Sequence, residues 1–241
     1  MKIFAVSDLH LSFTAPFDPD LPQKGAKPMD IFGAQWGDHP LSLARNWRET
    51  IGEEDTVLIP GDISWAMNLQ EARYDLDFIG TLPGRKLICR GNHDYWWDAI
   101  GKVRSALPAG MEALQHDATE AGGHAICATR GWLLPGHCDF KESSDRKIFD
   151  RELLRLGFAL KAAAELDKPI IVMLHYPPVG ETGKPTEFTE LMGKYPVCQC
   201  VYGHIHGDQA DVFEGELNGI VYTNVSVDRL GFRPFLLCEN Q

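Results

Sequence analysis

Five clusters of carboxylate, amide and imidazole side chains stand out along the chain: Asp8-Leu9-His10, Gly61-Asp62, Gly91-Asn92-His93-Asp94, His175, and Gly203-His204-Ile205-His206. Asp8, His10, Asp62, Asn92, His175, His204 and His206 are all metal-ligand types. They are too many for one tetrahedral zinc and suit two adjacent ions bridged by a carboxylate. The set contains no thiolate, so Mn, Fe, Zn or Co fits it better than a structural zinc cluster does. Two divalent ions ~3.5 to 4 Å apart hold a hydroxide between them and clamp a phosphoryl oxygen. The chemistry that follows is hydrolysis of a phosphate ester.

Such a centre needs elements that bring distant residues together. Short apolar runs at 3–6, 56–60, 86–90, 125–129, 169–174 and 198–202 read as strands buried on both faces. Five of these runs lead into the five clusters. In α/β sheets ligands bind outside the carboxyl ends of strands, so the clusters converge. Residues two apart in extended chain point the same way, which would let Asp8 with His10, and His204 with His206, reach one centre. Glycines 61, 91 and 203 would permit the turn at each strand end.

Between the strands lie helical patterns. The clearest is 68–81, with Asn68 as cap, Glu71 at the capping-box position and Leu69, Ala72, Leu76 and Ile79 along one side. A second helix is expected over 144–166, with Ile148, Leu153, Leu156, Leu160 and Ala163 as its apolar stripe. Its bases Arg146, Lys147, Arg151 and Arg155, interleaved with Asp145, Asp150 and Glu152, read as a solvated, salt-bridged face. Segments 209–214, 219–223 and 234–237 read as antiparallel hairpins. Segments 12–39 and 176–196 break the alternation and read as ordered excursions over the surface. The class is α/β, and with no repeat or composition break residues 1–241 read as a single domain.

Taken in order, the five blocks resemble the full signature of the calcineurin-like metallophosphoesterases, over residues 8–206. The resemblance implies two packed mixed β-sheets flanked by helices, a four-layer αββα sandwich with metals at the strand ends along one edge. It places Asp8, His10 and His206 on one metal, Asn92, His175 and His204 on the other, and Asp62 as the bridge. It implies that a metal-bridging hydroxide attacks phosphorus and that His93 protonates the leaving alkoxide, with Asp94 orienting and charging it, in line with general-acid logic. The substrate would be a small phosphodiester or phosphomonoester. Two contrasting readings are a non-catalytic scaffold of the same fold that binds protein and a nuclease using the same site. Intact ligands and His93 weigh against the scaffold.

Other residues carry weaker signals. Many relatives have a further acidic residue shortly after Gly61-Asp62, where this chain reads Ile63-Ser64-Trp65-Ala66-Met67. Trp65, Trp96 and Trp97 read first as caps on the core and second as a substrate platform. Arg130, just after a strand, is either a phosphate-binding residue, which makes it the candidate for substrate binding, or half of a surface ion pair. His39, His116, His124 and His137 fit no ligand spacing, though His39 and His137 lie in irregular segments that could border the site. Cys198-Gln199-Cys200 reads as two small side chains on one strand face.

Composition limits the partners. Among 241 residues, 23 Lys and Arg against 34 Asp and Glu give a net charge of -11, which disfavours long nucleic acid. Two divalent ions would still make the site itself positive, so acidity limits substrate size and not substrate class. No apolar run approaches the ~20 residues of a membrane span, and the start MKIFAVSDLH reads as a first strand. Six cysteines read as reduced thiols of a cytoplasmic protein, which would leave the sequon at Asn224 idle.

Overall fold

The computed structural model describes residues 1–20, 25–180, 183–207 and 212–239. Its first half runs β1 (Lys2–Ala5), α1 (His39–Thr50), β2 (Thr56–Ile59), α2 (Leu69–Gly80), β3 (Arg85–Ile88), α3 (Ile100–Ala106), β4 (Met111–Ala113), β5 (Ala118–Ala121) and β6 (His124–Thr129). The second half runs α4 (Glu142–Ala164), β7 (Ile170–Leu174), α5 (Glu187–Met192), β8 (Val197–Tyr202), β9 (Gly215–Leu217), β10 (Ile220–Asn224) and β11 (Phe235–Glu239). Two mixed sheets result, in strand orders β11-β1-β2-β3-β4 and β5-β6-β7-β8-β10-β9.

Alternation along the strands builds the layers, because successive side chains leave opposite faces. Ile3, Ala5, Leu58, Leu87, Ile126, Ile171, Met173 and Val201 fill the space between the sheets. Their neighbours Phe4, Val6, Val57, Ile59 and Ile88 face outward into a core shared with Leu43 and Trp47 of α1 and Leu76 and Ile79 of α2. On the other side Ile170, Val172 and Leu174 meet Phe149, Leu156 and Leu160 of α4. Three apolar layers therefore separate four structural ones, which is the αββα sandwich.

The helices show where pattern and packing part. Asn68 caps α2 by accepting from the amide of Glu71 (3.0 Å), and the Glu71 carboxylate accepts from the Asn68 side chain and the Met67 amide. In α4 the buried face is Asp145, Phe149, Glu152, Leu156, Ala159, Leu160 and Ala163, while Ile148 and Leu153 are half-buried. Asp145 and Glu152 thus leave the solvated face expected of them. Each finds donors inside: Trp132 Nε1 and the Lys141 amide for Asp145, Thr129 Oγ1 and Arg155 for Glu152. A buried carboxylate is tolerated once hydrogen-bonded.

Only one of the expected hairpins forms among the described residues. β9 and β10 pair antiparallel across Asn218 and Gly219, whose φ values of 54° and 79° suit a primed two-residue turn. β11 instead crosses to the first sheet and pairs antiparallel with β1. Much of 209–214, and parts of 12–39 and 176–196, lie outside the described residues. What is described of 12–39 buries Phe13, Met29 and Trp36 on the α1–α2 side of the first sheet. No helix among the described residues is long and apolar enough to cross a membrane.

One buried acid links this layer to the strand ends. Asp75 of α2 accepts from the Phe13 amide (2.7 Å) and from Ser64 Oγ, and burial pushes its carboxyl up to about 7 against those two bonds. Below about 4 both folded and unfolded chains carry the proton, and above about 7 neither does. Between these limits only the folded chain holds it, so stability should fall as pH rises, by up to ~1.4 kcal/mol per pH unit from this group. Denaturant titrations across that window should show the slope in the wild type and its loss in Asp75→Asn. Identical slopes would remove Asp75 as the cause.

Candidate metal centre

The loops leaving β1 and β2 clasp each other before they present any side chain. Amides of Asp8, His10 and Leu11 donate to the carbonyls of Gly61, Asp62 and Ile63, each at 3.0 Å. Asp8, His10, Asp62 and His204 adopt left-handed conformations, with φ of 59°, 46°, 51° and 71°. Asp8-x-His10 and His204-x-His206 are therefore not extended, and local turns instead of strand alternation set their directions, bringing Asp8 and His10 together and sending His204 and His206 to different neighbours. Such conformations cost on the order of 1–3 kcal/mol each and persist where neighbours over-determine them. Here Leu9 is fully buried and its carbonyl lies 3.1 Å from His39 Nε2. Gly61 has a positive φ, whereas Gly91 and Gly203 serve close approach: a Cβ would strike the Asp62 carboxylate at 91 and the Asp8 carboxylate at 203.

Two clusters share Asp8: one with His10 and His206, the other with Asp62 and His175. Nε2 of His10 lies 3.2 Å from Nε2 of His206, which is 3.5 Å from Asp8 Oδ1. Asp62 Oδ2 stands between the groups, 3.9 Å from His10 Nε2 and 3.5 Å from His175 Nε2. Asn92 Oδ1 is 2.6 Å from His175 Nε2. The His204 ring packs 5.1 Å from His175 and 4.2 Å from Tyr176, away from its partner His206, which faces His10.

The donor chemistry fits cations. His175 Nδ1 is 3.0 Å from the Pro60 carbonyl, which can only accept, so the proton sits there and Nε2 presents a lone pair. That lone pair faces Asn92 Oδ1 and Asp62 Oδ2, two further acceptors. Burial pushes His10 down to about 3, His175 to about 4 and His204 to about 3, leaving these rings neutral and ready to ligate. Burial raises Asp62, with the charges of Asp8 and Asp94 adding to it. Burial would also raise Asp8, but hydrogen bonding to His206 and the neighbouring imidazoles hold it below the usual range. Among the described residues no lysine or arginine pairs with Asp8, Asp62 or Asp94.

His206 is set differently. Burial would lower it, but Asp228 and Asp8 outweigh that and hold it up to about 10. Its Nδ1 lies 3.0 Å from Asp228 Oδ1, the carboxylate–histidine arrangement that aims the other ring nitrogen at a metal. Asp228→Ala is expected to weaken metal affinity ~10–100-fold. Competition with a chromogenic chelator measures this, and unchanged affinity would remove Asp228 from the support of His206.

His93 lies beside the clusters, its ring 5.7 Å from His10 and 4.3 Å from Trp65. Its Nδ1 is buried without a partner, leaving Nε2 as the nitrogen open to the cavity. Asp94 does not touch the His93 ring. Its carboxylate accepts from the amides of Asp62, Ile63, Ser64 and Gly91 and from Trp96 Nε1. Four amides converging on one buried carboxylate leave it no capacity to orient an imidazole, so Asp94 fixes the loops that carry Asp62 and Asn92. Trp96 and Trp97 are buried in the core. Trp65 stacks on His10 at 4.9 Å, donates Nε1 to Met29 Sδ, and with Met29 and Trp36 walls a cavity of about 290 Å³ over His10, His93 and His206.

Arg130 is set back from the clusters, its guanidinium 4.4 Å over Trp132 and 3.8 Å from Glu152. His39 supports the Leu9 carbonyl, and His137 is exposed beside Asp139. Sequence reasoning passed over Asp228 and also Ser226, whose Oγ donates to Asp8 across 218 positions. An acidic residue soon after β10 was the available signal for Asp228, but nothing local tied it to His206.

A family model described as calcineurin-like phosphoesterase matches residues 1–208. The gene 66 protein of Mycobacterium phage D29 is 39% identical over 96 residues, 39% of this chain and 40% of that protein. The gene 66 protein of Mycobacterium phage L5 is 40% identical over 57 residues, 24% of this chain and 27% of that protein. The chain thus spans less than half the length of either phage protein. Among solved structures, AQ665 from Aquifex aeolicus, a protein of unknown function, superposes with a TM-score of 0.51 at 17% identity, covering 98% of this chain and 95% of that one. Phosphopantetheinyl hydrolase from Mycobacterium tuberculosis superposes with a TM-score of 0.57 at 14% identity, covering 99% and 96%. At such identities the likeness is one of fold.

Proposed function

Because the chain belongs to the calcineurin-like phosphoesterase family, we propose that it is a metal-dependent hydrolase of small phosphodiesters or phosphomonoesters. The observation that carries this reading is the cluster in which His175 Nε2, Asn92 Oδ1 and Asp62 Oδ2 face one another while the Pro60 carbonyl holds the His175 proton on Nδ1. Asp8, His10 and His206 would hold one divalent ion, Asn92, His175 and His204 a second, and Asp62 would stand between them. Mn, Fe, Zn or Co would supply there a nucleophile drawn from water at neutral pH and charge neutralisation at the phosphoryl oxygens.

The chain's own side chains do the rest. His93 presents Nε2 to the cavity and gives a proton to the departing oxygen. Trp65 packs against both His93 and His10 and so keeps the acid beside the centre. Asp94 is a positioning residue that ties the Asp62 loop to the Asn92 loop. The apolar wall of Met29, Trp36 and Trp65 excludes water from the leaving-group side. Paired assays of bis-p-nitrophenyl phosphate and p-nitrophenyl phosphate with Mn should show turnover that a chelator abolishes. No turnover of either ester with any of the four metals would contradict the reading.

A further inference from the structure

A second polar cavity, of about 210 Å³, lies at the same strand-end edge and is lined by Arg90, Arg130, Arg151, Arg155, Asp98 and Glu152. It has room for several waters of ~30 Å³ each, and so for a phosphate group. Glu152 is fully buried and is shared: Arg155 Nη1 lies at 2.7 Å, Arg130 Nη2 and Arg151 Nε at 3.8 Å. Asp98 is engaged by Lys102 at 2.8 Å. Four guanidiniums against these two acids leave the cavity with a surplus of two positive charges in a chain of net charge -11.

Arg90 has no acidic partner among the described residues, and the Nε atoms of Arg90 and Arg130 are buried without a hydrogen bond. Buried donors left unpaired are costly, and guanidinium forks are shaped for oxyanions. Trp132 stacks under the Arg130 guanidinium and holds its plane.

Two of the cavity's arginines neighbour residues of the candidate centre along the backbone. Arg130 follows the Thr129–Leu174 pair of β6 and β7, and its carbonyl accepts from the His175 amide at 3.0 Å, which puts its backbone one strand spacing, ~4.8 Å, from that ligand. Arg90 precedes Gly91-Asn92 at the end of β3. We propose that this arginine pocket binds a second phosphate group of the substrate, so that the preferred substrate is a small bisphosphorylated molecule with one phosphate at the metal centre and the other against Arg90 and Arg130. This rests on the phosphoesterase reading above.

Two measurements test it. Calorimetric titration of the Mn-loaded protein with inorganic phosphate should count two phosphates per chain in the wild type and one in Arg90→Met/Arg130→Met. Arg90→Lys, which keeps the charge, should retain the second with weaker affinity. One phosphate in the wild type, or two in the double variant, overturns the pocket. Kinetically, kcat/KM for 1,3-propanediol bisphosphate should exceed that for 3-hydroxypropyl phosphate at least ~10-fold, a ratio that collapses toward unity in Arg90→Met. Equal values in a wild type that counts two phosphates would make the pocket a site for free phosphate and overturn the substrate assignment. If p-nitrophenyl and bis-p-nitrophenyl phosphate are inert as well, the phosphoesterase reading fails, and the pocket's own phosphate count still decides whether it binds phosphate; an inert bisphosphate in a protein that turns those esters over overturns the substrate assignment.

Discussion

His93→Ala is expected to keep its metal and lose ~10²–10⁴-fold in turnover on esters with alkoxide leaving groups, and far less on nitrophenyl esters. An alkoxide cannot depart without a proton, whereas nitrophenolate leaves as a stable anion. His93 is placed for that task by packing and not by a carboxylate partner: Trp65 lies 4.3 Å from its ring and His10 5.7 Å, with Nδ1 buried. Burial lowers its pKa from the ordinary imidazole value, and Asp8 is the charge that opposes this. Rates with paired alkyl and nitrophenyl esters decide the matter. Equal losses on both would take His93 out of the acid role.

Asp62→Asn carries the second large effect, and its sign depends on metal. With ions supplied, losing the carboxylate between the two clusters should cost more affinity than the ~10–100-fold expected of a supporting residue such as Asp228. Turnover should fall with it. In metal-free protein the same change should raise the thermal midpoint, because Asp62 is buried and is pushed up by burial and by the charges of Asp8 and Asp94. The new amide can still accept from the His93 backbone and can donate toward His175. Unfolding curves of both proteins with and without Mn read the crossover. A variant destabilised equally in both states would mean that Asp62 serves the fold and not the ions.

The chemistry-bearing blocks were legible because each follows a strand, and a run of aliphatic residues closed by polar side chains survives translation into structure. The α/β class followed from the same runs, and the four-layer αββα arrangement from the resemblance that the five blocks carry. What the one-dimensional pattern hid was direction. Asp94 stands next to His93, yet its carboxylate turns to the amides of the 61–64 loop and of Gly91, which become visible as partners only once the loops pack. Asp8 and His10 looked like alternating strand residues but are left-handed, a conformation that side-chain type alone does not announce. In α4 the charges at 145 and 152 read as solvent-facing, and they are buried because Trp132 and Thr129, from outside the helix, supply donors.

Long-range partners were the other blind spot. Asp228 meets His206 across 22 positions and Ser226 meets Asp8 across 218, with no shared period to link them. Arg90 and Arg130 follow strands of different sheets, so their common cavity exists only after the sheets stack. Trp65 shows both behaviours at once: its indole packs on the core, as a cap would, while one face covers His10 and His93.

The dinuclear phosphoesterase account is tested most directly by titrating chelator-stripped protein with Mn while following ester hydrolysis. Activity should be absent at the start and climb to a break at two equivalents per chain. Activity that survives the chelator, or a break at one equivalent, would contradict it.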